Sequence, residues 1–181
     1  MNRKRTNAVG VLALLLTVGN LLVGCGGTTW TEFTSAEGAF SVLMPGTPAE
    51  QTQAQDTDLG PIDVHMYTFE GGDVAYLVGY NVFPAAVIDA STPAAILDGA
   101  RDGQVETVKG TLVNESEITL GTYPGRDLEI QVEGSDGASS LRTRLFMVGD
   151  RLYQLVVAGP KGQSTSPDTI KFLDSFKLTG G

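Results

Sequence analysis

A period-two alternation of apolar and polar residues constrains the fold of this chain most strongly, because it predicts β-strands. The run IDVHMYTFEGGDVAYLVGYNVFP holds two such stretches around a Gly-Gly pair at 71–72, which suits a two-residue turn. A turn at this pair would set Phe69 opposite Val74 and Tyr67 opposite Tyr76. We therefore predict a β-hairpin in this run.

One face of the predicted hairpin is aromatic. It carries His65, Tyr67, Phe69, Val74, Tyr76, Val78 and Tyr80. Aromatic side chains grouped on an exposed face are typical of a surface that binds a partner. We therefore predict a binding face formed by His65, Tyr67, Tyr76 and Tyr80. If a helix covers this face, its side chains belong to the core instead.

A second hairpin is predicted in RDLEIQVEGSDGASSLRTRLFMV, because the Asp-Gly pair at 136–137 suits a type I′ turn. That turn sets Glu129 opposite Arg144 and Gln131 opposite Arg142. One face of this hairpin is then charged and solvated, and the other face is apolar and belongs to the core.

The next run, RLFMVGDRLYQLVVAG, predicts a further hairpin at Gly149-Asp150 with two registers open. A two-residue loop pairs Leu145 with Gln154, whereas a three-residue loop pairs it with Leu155. Because LYQLVVA is apolar on both faces, we predict a central strand that is covered on both sides.

Two more strands are predicted nearer the start of the chain. Residues 38–44 alternate with Phe40, Val42 and Met44 on one face, and the proline at 45 ends the run. The polar stretch TPAEQTQAQDTDLGP is either a flexible loop or an edge strand. Because a long structureless loop is uncommon inside a compact domain, we favour an edge strand over 50–57.

The first of two predicted helices begins at Thr92-Pro93, which provide an N-cap and a first-turn proline, and it closes at Lys109-Gly110. Its inward positions at helical spacing are Leu97, Ala100, Gln104 and Val108. Each of Gly99 and Gly103 costs about 1 kcal/mol relative to alanine. We therefore expect this small-residue face to pack closely on the sheet.

The second predicted helix opens at Ser166-Pro167-Asp168 near the end of the chain. Its apolar stripe consists of Ile170, Phe172, Leu173 and Phe176. Together these elements predict an α+β fold, an antiparallel sheet of about six to seven strands flanked by two helices.

The first residues read as an export signal, because MNRKR places three positive charges before the apolar run VGVLALLLTVGNLLVG. The alternative is a membrane-spanning helix, since that run approaches the ~20 apolar residues that a span needs. Glycines and an asparagine interrupt the run, and no basic cluster follows it. We therefore predict export.

The residues Leu22-Val23-Gly24-Cys25 resemble the lipobox of bacterial lipoprotein precursors. This resemblance implies cleavage between Gly24 and Cys25, a diacylglycerol on the thiol and an acylated new amino terminus. We accordingly predict a signal peptide over 1–24, a lipidated N-terminus and short tether over 25–37, and a single α+β domain over 38–181.

The net charge and the cysteine content exclude several classes of function. Loss of residues 1–24 removes three of 12 basic residues and none of the 21 acidic ones, which leaves a net charge of −12. Such a domain repels nucleic acid, so we predict no nucleic-acid partner. Because Cys25 is the only cysteine, the sequence excludes disulfides, thiolate metal sites and a free thiol nucleophile from the rest of the chain.

The stretch FTSAEGAFSVLMP at 33–45 resembles the aromatic, glycine, phenylalanine, hydrophobic, proline start of PsbP-like domains, and FLDSF at 172–176 resembles the helix that finishes them. That family includes the extrinsic subunit of photosystem II and lipid-anchored bacterial relatives. The resemblance implies an α/β/α sandwich and a non-enzymatic accessory or assembly role. The chain departs from photosynthetic members at 46–48, where they tend to carry a tryptophan after the proline.

Catalytic motifs are sparse in this sequence. His65 is the only histidine, and no GxSxG elbow, HExxH helix or phosphate-binding glycine loop accompanies it. Asp56, Asp58 and Asp63 are the best-spaced acidic set, but their spacing does not match a calcium loop, so we predict neither metal nor cofactor. We expect Arg126, which follows Tyr123-Pro124-Gly125, to pair with a carboxylate.

The sequence therefore predicts a non-catalytic, lipid-anchored binding or assembly module of the cell envelope. Its domain would face the periplasm or exterior, on the cell membrane or the outer membrane, with an envelope protein as partner. The alternative is a cell-envelope hydrolase that uses His65 or paired carboxylates.

Overall fold

The structure, a computed structural model, describes residues 29–57, 60–134 and 137–180. Its strands are β1 Thr31–Ser35, β2 Phe40–Met44, β3 Ala49–Thr57, β4 Gly60–Gly71, β5 Val74–Val82, β6 Thr111–Leu120, β7 Tyr123–Gly134, β8 Gly137–Val148, β9 Arg151–Pro160 and β10 Lys177–Leu178. Its helices are α1 Ala85–Ala90, α2 Pro93–Val108 and α3 Pro167–Asp174, with a 3₁₀ turn at Gln163–Thr165. None of these helices has both the length and the apolar character needed to cross a bilayer.

The strands form two antiparallel sheets, which confirms the predicted fold class. The large sheet has seven strands in the order β3-β4-β5-β9-β8-β7-β6, and the small sheet has three in the order β1-β2-β10. Strand β9 is central, as its apolar sequence predicts. The polar β3 lies at one edge of the large sheet, as predicted for 50–57.

Both faces of the large sheet are covered. The small sheet and α3 cover one face over a core that includes Phe40, Tyr80, Leu155 and Phe172, each no more than 1% exposed. Helix α2 covers the other face through Leu97, which packs with Leu128 and Leu145. The domain therefore has three layers: α2, the large sheet, and the small sheet together with α3.

The predicted tether over 25–37 is too long, because β1 lies inside it and pairs with β2 from Thr31↔Met44 to Ser35↔Phe40. The cause is apolar packing: Phe33 lies with its ring centroid 4.9 Å from that of Tyr67. The domain therefore begins before residue 38. The predicted signal peptide, its cleavage point and Cys25 lie outside the described residues.

The register predicted for the β4–β5 hairpin is wrong by two residues. Phe69 pairs with Tyr76, and Gly71 pairs with Val74, so the turn lies at 72–73 with a φ of 61° at Gly72. Gly71 is the last residue of β4, and because a Cβ there would lie 2.8 Å from the Phe69 ring, glycine leaves room for that ring. A shift of two residues leaves every side chain on its predicted face.

The β7–β8 hairpin differs from its predicted register in the same way. Glu129 pairs with Arg142, and Gly134 pairs with Gly137. The two residues between them, 135 and 136, lie outside the described residues. The β8–β9 hairpin has the two-residue loop, with Leu145 opposite Gln154. The structure therefore selects one of the two registers left open there.

Helix α2 has the predicted cap, because the Thr92 hydroxyl accepts the Ala95 N–H at 3.2 Å. The expected close packing at Gly99 and Gly103 is wrong. Both glycines are exposed, and a Cβ added at either would meet no atom within 4 Å. The inward side of α2 is instead built around Leu97, which is fully buried.

Helix α3 begins at Pro167, and the Ser166 hydroxyl caps it by accepting the Thr169 N–H at 3.1 Å. Phe172, Leu173 and Phe176 are buried as predicted, but Ile170 is 37% exposed. Thr169, one turn before Leu173, takes the inward position that we assigned to Ile170.

Candidate functional site

The predicted binding face is not a surface. Tyr67, Tyr76 and Tyr80 are 3%, 5% and 1% exposed, because the small sheet and α3 lie over them. Tyr67 is fixed further by a 2.9 Å hydrogen bond between its hydroxyl and that of Ser35. These tyrosines belong to the core, and any binding site must lie elsewhere on the molecule.

His65 sits at the margin of that core. Its ring stacks on Tyr80 with centroids 4.6 Å apart, and its Nδ1 lies 3.2 Å from the Thr52 hydroxyl. Its Nε2 is 4.0 Å from a carboxylate oxygen of Glu37. Neither of the two clefts found among the described residues is lined by His65. The hydrolase alternative gains no support from these contacts.

Burial affects the ionisation of two core tyrosines, Tyr76 and Tyr80. It raises the pKa of the Tyr80 hydroxyl, with smaller contributions from Tyr67 and Glu37, while the guanidinium of Arg151 opposes this. Burial likewise raises the pKa of Tyr76, and the charge of Asp168 adds to this. Both phenols therefore remain neutral at physiological pH and act as packing groups.

The larger cleft has a volume of about 670 Å³ and lies at the end of the sheet where β4 turns into β5. Apolar and polar side chains both line it. They are Thr29, Pro45, Phe69, Gly71, Val74, Tyr76, Gln163, Ser166, Pro167 and Asp168. We call this cleft, together with the adjacent Trp30, the Trp30 cleft.

Phe69 forms the apolar floor of the Trp30 cleft because two glycines make room for its ring. A Cβ at Gly46 would lie 2.2 Å from one ring carbon of Phe69, and a Cβ at Gly71 would lie 2.8 Å from another. These distances are too short for any real side chain. The glycines therefore determine where the aromatic ring lies.

The polar wall of the Trp30 cleft is held by its own hydrogen bonds. The Gln163 amide donates to the Ser166 hydroxyl at 2.9 Å and to the Thr169 hydroxyl at 3.2 Å. Asp168 is exposed in the first turn of α3. The cleft thus combines a fixed polar wall with an apolar floor and one exposed carboxylate.

Trp30, the only tryptophan of the chain, joins the cleft through Tyr76. The two rings meet edge to face with centroids 5.6 Å apart, and Lys171 Nζ lies 4.6 Å from the centroid of the Trp30 ring. We missed this residue by assigning 25–37 to a tether. The available signal was two aromatic residues, Trp30 and Phe33, in an otherwise polar segment.

The smaller cleft has a volume of about 300 Å³ and lies between the end of β6 and α3. Phe146 and Phe176 stack within it, with centroids 6.2 Å apart. Arg144 also lines it, and its guanidinium binds Asp174 at 2.7 Å and Asp127 at 3.0 Å. The predicted solvated charged face is wrong here, because Asp127 is only 4% exposed.

Arg126 pairs with carboxylates, as predicted. It lies 3.4 Å from Asp98 and 3.3 Å from Glu115, both of which also bind Arg101. A hydrogen bond from Arg101 lowers the pKa of Asp102. This network fixes α2 to the edge of the sheet and pairs the guanidinium groups of both Arg101 and Arg126 with carboxylates.

The acidic set considered for a metal is not assembled among the described residues. Asp63 of β4 pairs with Ala54, Asp56 belongs to β3, and Asp58 lies outside the described residues. In the part of the chain that the structure describes, no three potential ligand side chains come together.

No family model matches this chain, and no curated protein matches it significantly. Among solved structures, cyanobacterial PsbP (CyanoP) from Synechocystis sp. PCC 6803 is similar over 88% of this chain and 98% of its own. Its sequence identity is 12% and its TM-score is 0.55. The chain therefore has a PsbP-like fold, as the sequence resemblance at residues 33–45 and 172–176 implies. At this level of identity, the similarity shows the fold alone.

Two further structures are less similar. A Pseudomonas aeruginosa protein matches over 78% of this chain and 85% of its own, with 10% identity and a TM-score of 0.38. A Bacteroides thetaiotaomicron protein matches over 81% of this chain and 47% of its own, with 12% identity and a TM-score of 0.45. Scores this low carry no argument about function.

Proposed function

We propose that this protein is a non-catalytic accessory module of the cell envelope, anchored by lipid at Cys25. The anchor is supported by the order of basic residues, apolar run and lipobox at the start of the sequence. The domain would face the periplasm or the exterior, on the cell membrane or the outer membrane.

The observation that carries the accessory role is the PsbP-like fold, which matches CyanoP over 98% of that protein's length. The sequence resembles PsbP-like domains at both ends, in FTSAEGAFSVLMP and FLDSF. PsbP-like proteins have accessory or assembly roles, and some are lipid-anchored. Fold and anchor therefore support the same kind of function.

The chemistry of the domain fits a binding module. Tyr67, Tyr76 and Tyr80 are buried in the core, and His65 stacks on Tyr80 and is hydrogen-bonded to Thr52. The side chains of the polar wall of the Trp30 cleft form hydrogen bonds with one another. A rigid body of this kind can present a surface to a partner without rearranging. Several acyl chains would hold it to the membrane, since each buried methylene contributes about 0.8 kcal/mol.

Metabolic labelling with a palmitate analogue in a bacterium that processes lipoproteins tests the anchor. The full chain should incorporate label, and its mature form should begin at Cys25 by mass spectrometry. The Cys25→Ser variant removes the only thiol and should remain unlabelled. An unlabelled wild-type chain, or cleavage at another position, would overturn the anchor.

Affinity purification from cross-linked membranes tests the accessory role. We expect the anchored protein to retain a defined envelope protein and the Cys25→Ser variant to retain less of it. Retention of no partner by either form would contradict the accessory role, even if the lipid is present.

A further inference from the structure

The Trp30 cleft is the part of the domain that lies beside the anchor. Thr29, which lines the cleft, follows Cys25 by four residues. Four residues span at most about 14 Å when fully extended. A lipid on Cys25 therefore keeps this end of the large sheet within a short distance of the bilayer.

The side chains at this end suit an interface between water and lipid. Trp30 presents an amphipathic ring, which favours the headgroup region of a bilayer. Phe69 and Val74 are only partly buried and line the cleft. Lys171, beside the Trp30 ring, provides a cation on a flexible apolar stem that can reach lipid phosphates.

Charge determines which lipid surface this end can approach. Asp168 lies in the cleft, and Glu70 and Asp73 are exposed on the adjoining β4–β5 hairpin. These three carboxylates outnumber the two cations that the structure describes at this end, Lys171 and Lys161, of which Lys161 follows the end of β9 and is exposed. The chain without residues 1–24 has a net charge of −12. Anionic lipid therefore repels this surface, whereas a zwitterionic headgroup layer does not.

We propose that the Trp30 cleft docks on the zwitterionic headgroup layer of the bilayer that holds the Cys25 anchor. This inference rests on the proposed lipid anchor and adds the orientation of the domain to it. The opposite end of the large sheet, which includes Val82 and Tyr123, then points away from the lipid and is open to protein partners.

The single tryptophan makes this orientation measurable. Lipidated wild-type protein, its anchor verified by mass spectrometry, is reconstituted into phosphatidylcholine vesicles with brominated or unmodified acyl chains. Bromine quenches indole fluorescence only at short range. Trp30 should lose fluorescence in the brominated vesicles relative to the unmodified ones, as expected for a tryptophan at the lipid interface.

A matched reporter at the far end of the sheet provides the control. Trp30→Phe combined with Tyr123→Trp places the only tryptophan at an exposed position, since Tyr123 is 38% exposed. If that variant fails to fold, Trp30→Phe with Val82→Trp serves instead, because Val82 is 42% exposed. Val82 lies eight residues from Val74 along β5, roughly 27 Å. Neither reporter should be quenched.

The outcomes separate the two proposals. Absence of lipid on Cys25 overturns the anchor. With lipid present, an unquenched Trp30, or equal quenching of the far-end reporter, overturns the orientation alone. Replacing a third of the phosphatidylcholine with phosphatidylglycerol should weaken Trp30 quenching, whereas unchanged or stronger quenching would overturn the preference for a zwitterionic surface.

Discussion

Arg144 Nη1 lies 2.7 Å from Oδ1 of Asp174, and this ion pair ties α3 to the large sheet. The same guanidinium donates from Nε to Oδ2 of Asp127 at 3.0 Å, and Asp127 also pairs with Arg142. The Asp127 side chain is 6% exposed, whereas that of Asp174 is 59% exposed. Two carboxylates thus share one arginine but differ in access to water.

This difference predicts unequal effects of removing each charge. Asp127→Asn removes the buried carboxylate that Arg142 and Arg144 share, although each arginine keeps a second carboxylate partner. It should lower the free energy of unfolding by about 1.5–3 kcal/mol. Asp174→Asn removes an exposed partner and should cost less than about 1 kcal/mol. Urea denaturation at pH 7 measures both. Equal losses in the two variants would contradict the assignment of the structural role to Asp127.

The apolar floor of the Trp30 cleft gives a second prediction. Gly46→Ala places a Cβ 2.2 Å from the Phe69 ring, so the ring must move. The free energy of unfolding should fall by about 1–3 kcal/mol, and thermal denaturation should show a lower melting temperature. Gly99→Ala is the control of opposite sign, because the added methyl meets no atom and should stabilise α2 by about 1 kcal/mol. Unchanged stability of Gly46→Ala would mean that the ring has free space.

Local signals in the sequence predicted most elements of the fold. The alternating runs gave the strands, the two-sided apolar run gave the central β9, and Thr92 and Ser166 marked the helix starts. The predicted registers of the β4–β5 and β7–β8 hairpins were wrong, because each loop has turn-forming residues at adjacent positions and the turn can be placed at more than one of them. A slip of two residues preserves both faces of a hairpin, so the hydrophobic pattern cannot distinguish these registers.

The candidate site was harder to predict, because strand periodicity shows which side chains share a face and not what covers that face. Tyr67 and Tyr80 were assigned correctly to one face, but the small sheet that buries them joins chain ends far apart in the sequence. The Trp30 cleft is likewise formed by segments that are far apart in the sequence. It brings Thr29 and Phe69 beside Asp168, and no local pattern links these residues.

The N-cap of α2 gives a third prediction. The Thr92 hydroxyl accepts the Ala95 N–H at 3.2 Å, and α2 packs Leu97 against Leu128 and Leu145 of the large sheet. Thr92→Ala should lower the free energy of unfolding by about 1 kcal/mol, whereas Thr92→Ser keeps the acceptor and should cost much less. Thermal denaturation compares the two variants, and equal effects would show that this hydroxyl does not stabilise the helix.

Tyr80 provides the last prediction, which concerns alkaline pH. Its hydroxyl has no hydrogen-bond partner among the described residues, and its folded-state pKa is raised above the ordinary value near 10, chiefly by burial. The unfolded chain therefore releases this proton first as the pH rises. The contribution of the Tyr80 hydroxyl to stability is therefore full below pH 10 and is lost progressively as the pH rises above it.

Tyr80→Phe removes this titration while it keeps the ring that stacks on His65. Between pH 9 and pH 11, the wild-type protein should lose about 1.4 kcal/mol more free energy of unfolding than Tyr80→Phe. The reason is that the Tyr80 hydroxyl ionises in this range only in the unfolded state. Urea denaturation at both pH values measures the difference. Tyr123→Phe, at an exposed tyrosine, should behave like the wild type. Equal pH dependence of Tyr80→Phe and the wild type would show that the Tyr80 hydroxyl reaches water in the folded protein.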